Sequence, residues 1–359
     1  MSATRDLNAL GQSLWLDNIT RDMLGDGTLA AHISERSVTG LTSNPTIFEH
    51  AVAAGDAYDD SIRASIEAGK DGEGAFFDLA LEDITRAADL FRPIHDRTDG
   101  VDGFVSLEVS PLLARDTEAT IAQAKELHER GDRPNLYIKI PGTPEGLPAI
   151  EEAIFAGIPV NVTLLFDKDQ YLAAADAYLR GIERRVEAGL NPRVESVASI
   201  FISRWDVAVK DTAPEGYKNR LGIAVVQQAY VAYLELLASA RMQRLLNLGA
   251  RPQRALWAST GTKDPEASDT LYIEAFASPL TVNTMPEKTL LAFHDHGRVG
   301  EPLARDGGDS ADVLAAFERS GTDVKALAER LQAEGADAFV KSWRSLLEQI
   351  ASKSQALTA

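Results

Sequence analysis

The chain has no cysteine, which removes disulfides, thiolate nucleophiles and zinc–thiolate centres from consideration together. It is also short of positive charge. With 36 Lys and Arg against 54 Asp and Glu, the formal net charge of -18 repels nucleic acid and anionic membrane surfaces. A phosphorylated ligand must therefore be held by a local cluster of cations against an unfavourable mean field. No uninterrupted apolar run approaches the roughly 18 residues that a membrane span requires, and residues 1–12 carry no apolar signal core behind basic residues. Internal repeats, low-complexity tracts and linkers are missing as well. The expectation is a cytoplasmic protein with no nucleic-acid or membrane partner.

What is present is ordinary globular material: 359 residues, 45% hydrophobic and 25% charged. The stretch NLYIKIPG (135–142) places one lysine in an apolar, strand-like run. Leu136, Ile138 and Ile140 share one face, Tyr137 and Lys139 share the other, and Pro141-Gly142 stops the strand. A lysine near the carboxyl end of a strand can be a snorkelling cation whose stem covers core. Alternatively, it is a desolvated amine that attacks a carbonyl and forms a Schiff base. The second reading needs matching chemistry from other strands at the same end of the sheet.

Seven further strand patterns occur, at residues 13–19, 38–44, 103–110, 159–166, 195–204, 254–261 and 278–285. Helical patterns separate them: 20–36, 58–97 (two helices, broken at 69–74), 117–130, 145–156, 168–188 and 218–248. Asn44-Pro45 and Pro286 open the helices that follow their strands. Eight strands alternating with helices, with no hairpins, predict an α/β protein whose parallel sheet closes as a (β/α)8 TIM barrel. A doubly wound open sheet is the competitor, but no glycine-rich phosphate turn follows the first strand. Residues 1–359 read as one domain, with extra outer helices from about residue 300, at 311–320 and 324–352.

With the face of Lys139 turned inward, the inward residues near the strand ends are Asp17, Thr42, Asn44, Glu108, Asn161, Thr163 and Ser259. Their outward neighbours are mostly Val, Ile and Leu. Each unsatisfied polar group buried in a structural core costs on the order of 1 to 3 kcal/mol, so this concentration favours a functional pocket. Simpler roles stand beside the functional ones. Asp17 could cap a helix ahead of Thr20, Glu108 could form a plain ion pair with the lysine, and the asparagines could brace the barrel. His294 and His296 are spaced closely enough to share a metal, but no further matched ligands accompany them, and the expectation is no metal site.

Five stretches, LTSNPTIF (41–48), VSLEVSP (105–111), LYIKIPGT (136–143), VNVTLLF (160–166) and ASIFISRWD (198–206), resemble in order and spacing those of the transaldolase family, specifically its longer bacterial type. The resemblance runs from about Trp15 through the eighth strand. It implies a class I aldolase-type barrel that works without metal or cofactor. The implied reaction passes a dihydroxyacetone unit from sedoheptulose 7-phosphate to glyceraldehyde 3-phosphate, yielding erythrose 4-phosphate and fructose 6-phosphate, in the non-oxidative pentose phosphate pathway. By the same resemblance, Lys139 is the Schiff-base lysine and Asp17 the acid/base, while Glu108 and Thr163 hold a proton-shuttling water. Thr42, Asn44, Asn161 and Ser199 form the shell that binds substrate hydroxyls, Phe201 shapes the pocket, and Arg204 with Ser259 receives phosphate. The chain departs from the shorter transaldolases where they have an arginine two positions after the serine. Gly261 stands there, leaving Lys263, which could equally be a solvated loop lysine, as the replacement cation. Two rivals remain: a related Schiff-base lyase that releases dihydroxyacetone, and a barrel that binds without catalysis. The partners implied are sugar phosphates, with a monomer and a homodimer both open.

Overall fold

The structure is a computed structural model that describes residues 2–70 and 72–358. Its strands are β1 (Ser13–Asp17), β2 (Val38–Thr42), β3 (Val105–Glu108), β4 (Leu136–Pro141), β5 (Val160–Leu165), β6 (Ser196–Phe201), β7 (Arg254–Ala258) and β8 (Val282–Met285). They pair in parallel in sequence order, and β8 closes on β1, so the sheet is the expected (β/α)8 barrel and the open-sheet alternative is excluded.

Register determines which side chains meet. Glu108 is opposite Lys139, Lys139 opposite Asn161, Asn161 opposite Val197, and Val197 opposite Arg254. Trp15 is level with Gly40 on one side and Thr284 on the other. Partners in adjacent parallel strands point to the same face, so this ring of pairings turns Asp17, Thr42, Glu108, Lys139, Asn161, Thr163, Ser199 and Thr284 inward. The alternate residues, among them Leu14, Leu41, Ile138, Val162 and Ile200, are buried against the helices in a continuous apolar layer. Burying each such side chain contributes roughly 1.5 to 3 kcal/mol. Gly40 is needed at its inward position because a Cβ there would lie 2.5 Å from Trp15 Nε1.

Several helices that follow a strand are capped by a short polar side chain. Asn44 Oδ1 accepts from Ile47 N (3.1 Å) ahead of Pro45, Asp116 Oδ1 accepts from Ala119 N (3.0 Å), and Asp167 Oδ1 accepts from Gln170 N (2.8 Å). These caps fix where the chain turns at the barrel's carboxyl-terminal end.

The structure departs from the sequence pattern in several places. Residues 20–36 form two helices, Arg21–Gly25 and Thr28–Arg36, because Gly27 adopts a φ of 88° between them. Residues 218–248 divide into Leu221–Ala238 and Ala240–Asn247 at Ser239, whose extended backbone starts the second helix and whose side chain caps Met242 N. An unpredicted helix, Ala3–Leu10, precedes β1. The break expected at 69–74 is shorter, since the helix after Asp59–Glu67 starts at Gly72 and already includes 72–74; Asp71 is outside the described residues. The helix Leu221–Ala238 is long and apolar enough to cross a membrane, with a mean hydropathy of 1.4, yet it packs against Lys168–Glu187 and Ser310–Arg319.

The largest departure concerns the end of the chain. The helix Val324–Thr358, expected on the outside, instead crosses the carboxyl-terminal mouth of the barrel, packing on Pro45–Ala53 and reaching β5. Gln332 Nε2 donates to Gly142 O (3.1 Å) and Leu164 O (2.9 Å), and Thr46 Oγ1 donates to Ser342 Oγ (2.8 Å). Its apolar residues find their burial on the helices around that mouth, where Trp343 packs edge-on to Phe76.

Candidate active site

The inward polar residues surround a cavity of about 570 Å³ at the carboxyl ends of the strands. Asp17, Thr42, Asn44, Lys139, Thr163, Ser199, Phe201, Arg204, Ser259 and Lys263 all line it, bringing together residues from six different strands or the turns after them. Glu108 and Asn161 are buried behind this wall.

Lys139, only 5% exposed, donates from Nζ to Glu108 Oε2 (3.1 Å) and to Ser43 O (3.3 Å). The direct contact is the ion pair that stood as the simpler reading of Glu108. The two residues are register partners on adjacent strands and the same face, so their side chains meet without an intermediary. Glu108 Oε1 and Thr163 Oγ1 remain without a hydrogen-bond partner among the described residues. Burial pushes the Glu108 carboxyl up from its ordinary value, Lys139 opposes the shift, and Asp17 adds to it.

Asp17 does not cap the following helix, because Thr20 fills that place by accepting from Met23 N (3.2 Å). Its Oδ1 accepts from Thr42 Oγ1 (2.8 Å), which is also 2.6 Å from Thr284 Oγ1. Thr42 has one proton and gives it to the carboxylate, so Thr284 must donate to Thr42, which fixes the direction of the chain. Burial holds the Asp17 carboxyl above its ordinary value, outweighing the opposing effects of Lys139, Thr42 and Lys263.

Asn161 is fully engaged, with Nδ2 donating to Ser106 Oγ (3.1 Å) and Oδ1 accepting from Ser199 Oγ (2.7 Å). It therefore braces β3, β5 and β6 under the cavity. Asn44 reaches the cavity from its capping position.

Arg204 lies in the first turn of the helix Ser203–Ala208, not at the end of the strand, because β6 stops at Phe201. Its guanidinium stacks over the Phe201 ring (5.7 Å to the centroid) and forms no hydrogen bond with another described residue. Burial lowers its pKa, and Glu334 opposes the shift. Ser259 follows β7 in a left-handed conformation (φ 57°), with its Oγ 2.9 Å from Ser203 Oγ. Exposed Lys263 completes this end of the cavity. An uncommitted guanidinium, an ammonium and a hydroxyl on one wall suit a phosphate monoester. The two histidines considered for metal binding point to separate partners: His294 Nδ1 is 3.0 Å from Thr4 Oγ1 and His296 Nε2 is 2.9 Å from Asp269 Oδ1.

Sequence reasoning missed several groups on the cavity wall, among them Asn18, His50, Thr284 and Phe339. Thr284 shares its face of β8 with Val282 while the other face carries Asn283 and Met285, so polar and apolar residues do not separate by parity there. Phe339 gave no signal either, since an aromatic residue in an amphipathic helix reads as core; its ring lies 5.5 Å from Lys139 Nζ.

A closed parallel barrel with a buried lysine among acids and hydroxyls at its carboxyl-terminal mouth has the design of an enzyme acting through an amine. The model of the Transaldolase/Fructose-6-phosphate aldolase family matches residues 14–350, and the chain belongs to that family. It is 47% identical to a protein from Thermobifida fusca (strain YX) named Transaldolase, over 99% of this chain and 100% of the relative. It is 44% identical to a Transaldolase of Thiobacillus denitrificans, over 98% and 100% of the two chains. A third Transaldolase, from Mycolicibacterium smegmatis, is 43% identical over 95% of each.

Proposed function

We infer that this chain is a transaldolase that carries a dihydroxyacetone unit on Lys139, taking it from sedoheptulose 7-phosphate and giving it to glyceraldehyde 3-phosphate. The observation that carries the reading is the Lys139 amine, buried 3.1 Å from Glu108 and facing a cavity shared with Asp17, Thr163 and an unpaired arginine. The full-length similarity to proteins named Transaldolase supports the same reading.

Nζ attacks the C2 carbonyl after passing a proton to Glu108 Oε2, a carboxylate made more basic by burial. Glu108 Oε1 and Thr163 Oγ1, neither with a hydrogen-bond partner among the described residues, hold the water that moves protons as the carbinolamine loses its hydroxyl. The resulting iminium is the electron sink. Asp17, aimed by the Thr284–Thr42 chain, removes the C4 hydroxyl proton; the C3–C4 bond breaks, and its electron pair moves toward nitrogen as the enamine. The aldose phosphate leaves and a second aldehyde enters. C3 attacks it, Asp17 returns the proton to the new hydroxyl, and hydrolysis frees Lys139. Arg204, Ser259 and Lys263 hold the substrate phosphate, while Asn44 and Ser199 receive hydroxyls. The chain acts as one cytoplasmic barrel domain whose C-terminal helix completes the site.

The test is product analysis with fructose 6-phosphate and erythrose 4-phosphate. Sedoheptulose 7-phosphate is expected to accumulate, with little free dihydroxyacetone. Efficient release of dihydroxyacetone without an acceptor contradicts transfer and favours the lyase.

A further inference from the structure

We propose that Phe339 decides the fate of the three-carbon intermediate on Lys139, holding it for an aldehyde and keeping it from water. This rests on the Schiff-base reading above and adds a specificity-determining residue to it. The amine donates to Glu108 Oε2 and Ser43 O, and the Phe339 ring lies 5.5 Å from it. Glu108 lies behind the cavity wall, whereas Phe339 is part of that wall, so the ring covers the amine from the side on which substrate and solvent arrive. Phe339 is only 6% exposed, although it belongs to the last helix of the chain.

The helix is built to keep the ring there. Gln332, Gly335, Phe339 and Ser342 follow a spacing of three, four and three residues and therefore share one helical face. Gln332 grips Gly142 O and Leu164 O, at the ends of the two strands that carry Lys139 and Thr163. Leu164 has a left-handed backbone (φ 60°), a conformation unfavourable for leucine, and its carbonyl is one of the two that Gln332 binds. Gly335 permits the close approach, since a Cβ there would lie 3.0 Å from Leu164 Cδ2 and 3.3 Å from Arg204 Nη1. On the other side of Phe339, Ser342 is bonded to Thr46.

The chemistry gives this placement a consequence. Once the C3–C4 bond has broken, the enamine has two outlets. It can attack an aldehyde, forming a C–C bond and leaving the product iminium. It can instead take a proton at C3, after which water adds to C2 and dihydroxyacetone departs from the amine; that water replaces the one expelled when the iminium formed, so the release is balanced. An aromatic face over the nitrogen displaces the water that release requires at C2, and this does not hinder an aldehyde held by its phosphate at Arg204.

The experiment measures two rates for wild type, Phe339→Leu and Phe339→Ala: dihydroxyacetone release from fructose 6-phosphate alone, and transfer to erythrose 4-phosphate. The ratio of release to transfer is expected to rise about tenfold or more in Phe339→Ala, with a smaller rise in Phe339→Leu, which keeps apolar bulk without a π face. If Phe339→Ala does not fold, Phe339→Leu decides. An unchanged ratio, with both rates falling together, overturns the proposal. Borohydride trapping of wild type on Lys139 separates this failure from failure of the Schiff-base reading, because trapping with an unmoved ratio rejects only the role of Phe339.

Discussion

At the amino-terminal end of the barrel, Asp102 accepts from Ser13 Oγ, Trp15 Nε1 and Gly103 N, while Arg254 donates to Ser13 Oγ (2.8 Å) and Val101 O (2.7 Å). Phe104 stacks on Tyr137 at 4.1 Å above them. At the carboxyl-terminal end, Lys139 meets Glu108 at 3.1 Å, but Glu108 Oε1 behind the cavity wall and Thr163 Oγ1 and the Arg204 guanidinium on it have no hydrogen-bond partner among the described residues. Each end thus buries an acid beside a cation. At the floor the cation is arginine, which keeps its charge at any accessible pH, and the carboxylate is saturated by protein donors. At the mouth it is lysine, which can give up a proton and become a nucleophile. The difference teaches how one fold separates rigidity from reactivity: polar groups bound to one another close the floor, and polar groups left unpaired at the mouth await a substrate.

Making the mouth resemble the floor is expected to have the largest effect. Lys139→Arg retains a cation beside Glu108 but removes the nucleophile, and activity is expected to fall by more than about 10³-fold while the fold persists. A variant keeping half the wild-type rate contradicts the mechanism. The complementary change opens the floor. Asp102→Ala strands Arg254, Trp15 Nε1 and Ser13, with an expected loss of about 3 to 5 kcal/mol in urea unfolding. Its kcat, measured while the protein is folded, should stay close to wild type; a selective collapse of kcat would mean that the two ends are coupled.

The faces of β4 and β5 were legible in the sequence because side-chain parity is local: Tyr137-Ile138-Lys139 and Asn161-Val162-Thr163 declare their inward residues by alternation alone. The same regularity misled at strand ends. The alternation in 195–204 continues through Arg204, although the chain turns into a helix after Phe201. Ser259 was read as an ordinary strand residue, and nothing in its identity indicates a left-handed backbone. The direct Glu108–Lys139 contact depends on register between strands joined by an intervening helix, which no local pattern encodes. Phe339 is 200 residues from Lys139 and meets it only because the last helix crosses the mouth.

Two smaller effects sharpen the account of the mouth. Arg204→Gln removes a charged donor to phosphate, worth about 1.5 to 3 kcal/mol, so KM for the phosphorylated substrate should rise roughly 10- to 100-fold, with less effect on kcat. An unchanged KM would place the phosphate elsewhere. The last effect is on stability. Burial raises the Asp17 carboxyl above its ordinary value, so between those two values the folded chain retains a proton that the unfolded chain has released, and stability declines as pH rises through that window. Asp17→Asn has no such proton. Its stability relative to wild type should therefore increase across the window and remain higher above it, as urea unfolding at a series of pH values would show. Parallel curves would contradict the raised carboxyl.

The central claim is that the Lys139 amine captures a ketone, and the most direct measurement is borohydride reduction of the protein with fructose 6-phosphate, followed by peptide mapping. The account predicts a stable three-carbon adduct on the peptide containing Lys139, absent from Lys139→Arg. An unchanged intact mass under turnover conditions, or an adduct carried by another lysine, would contradict it.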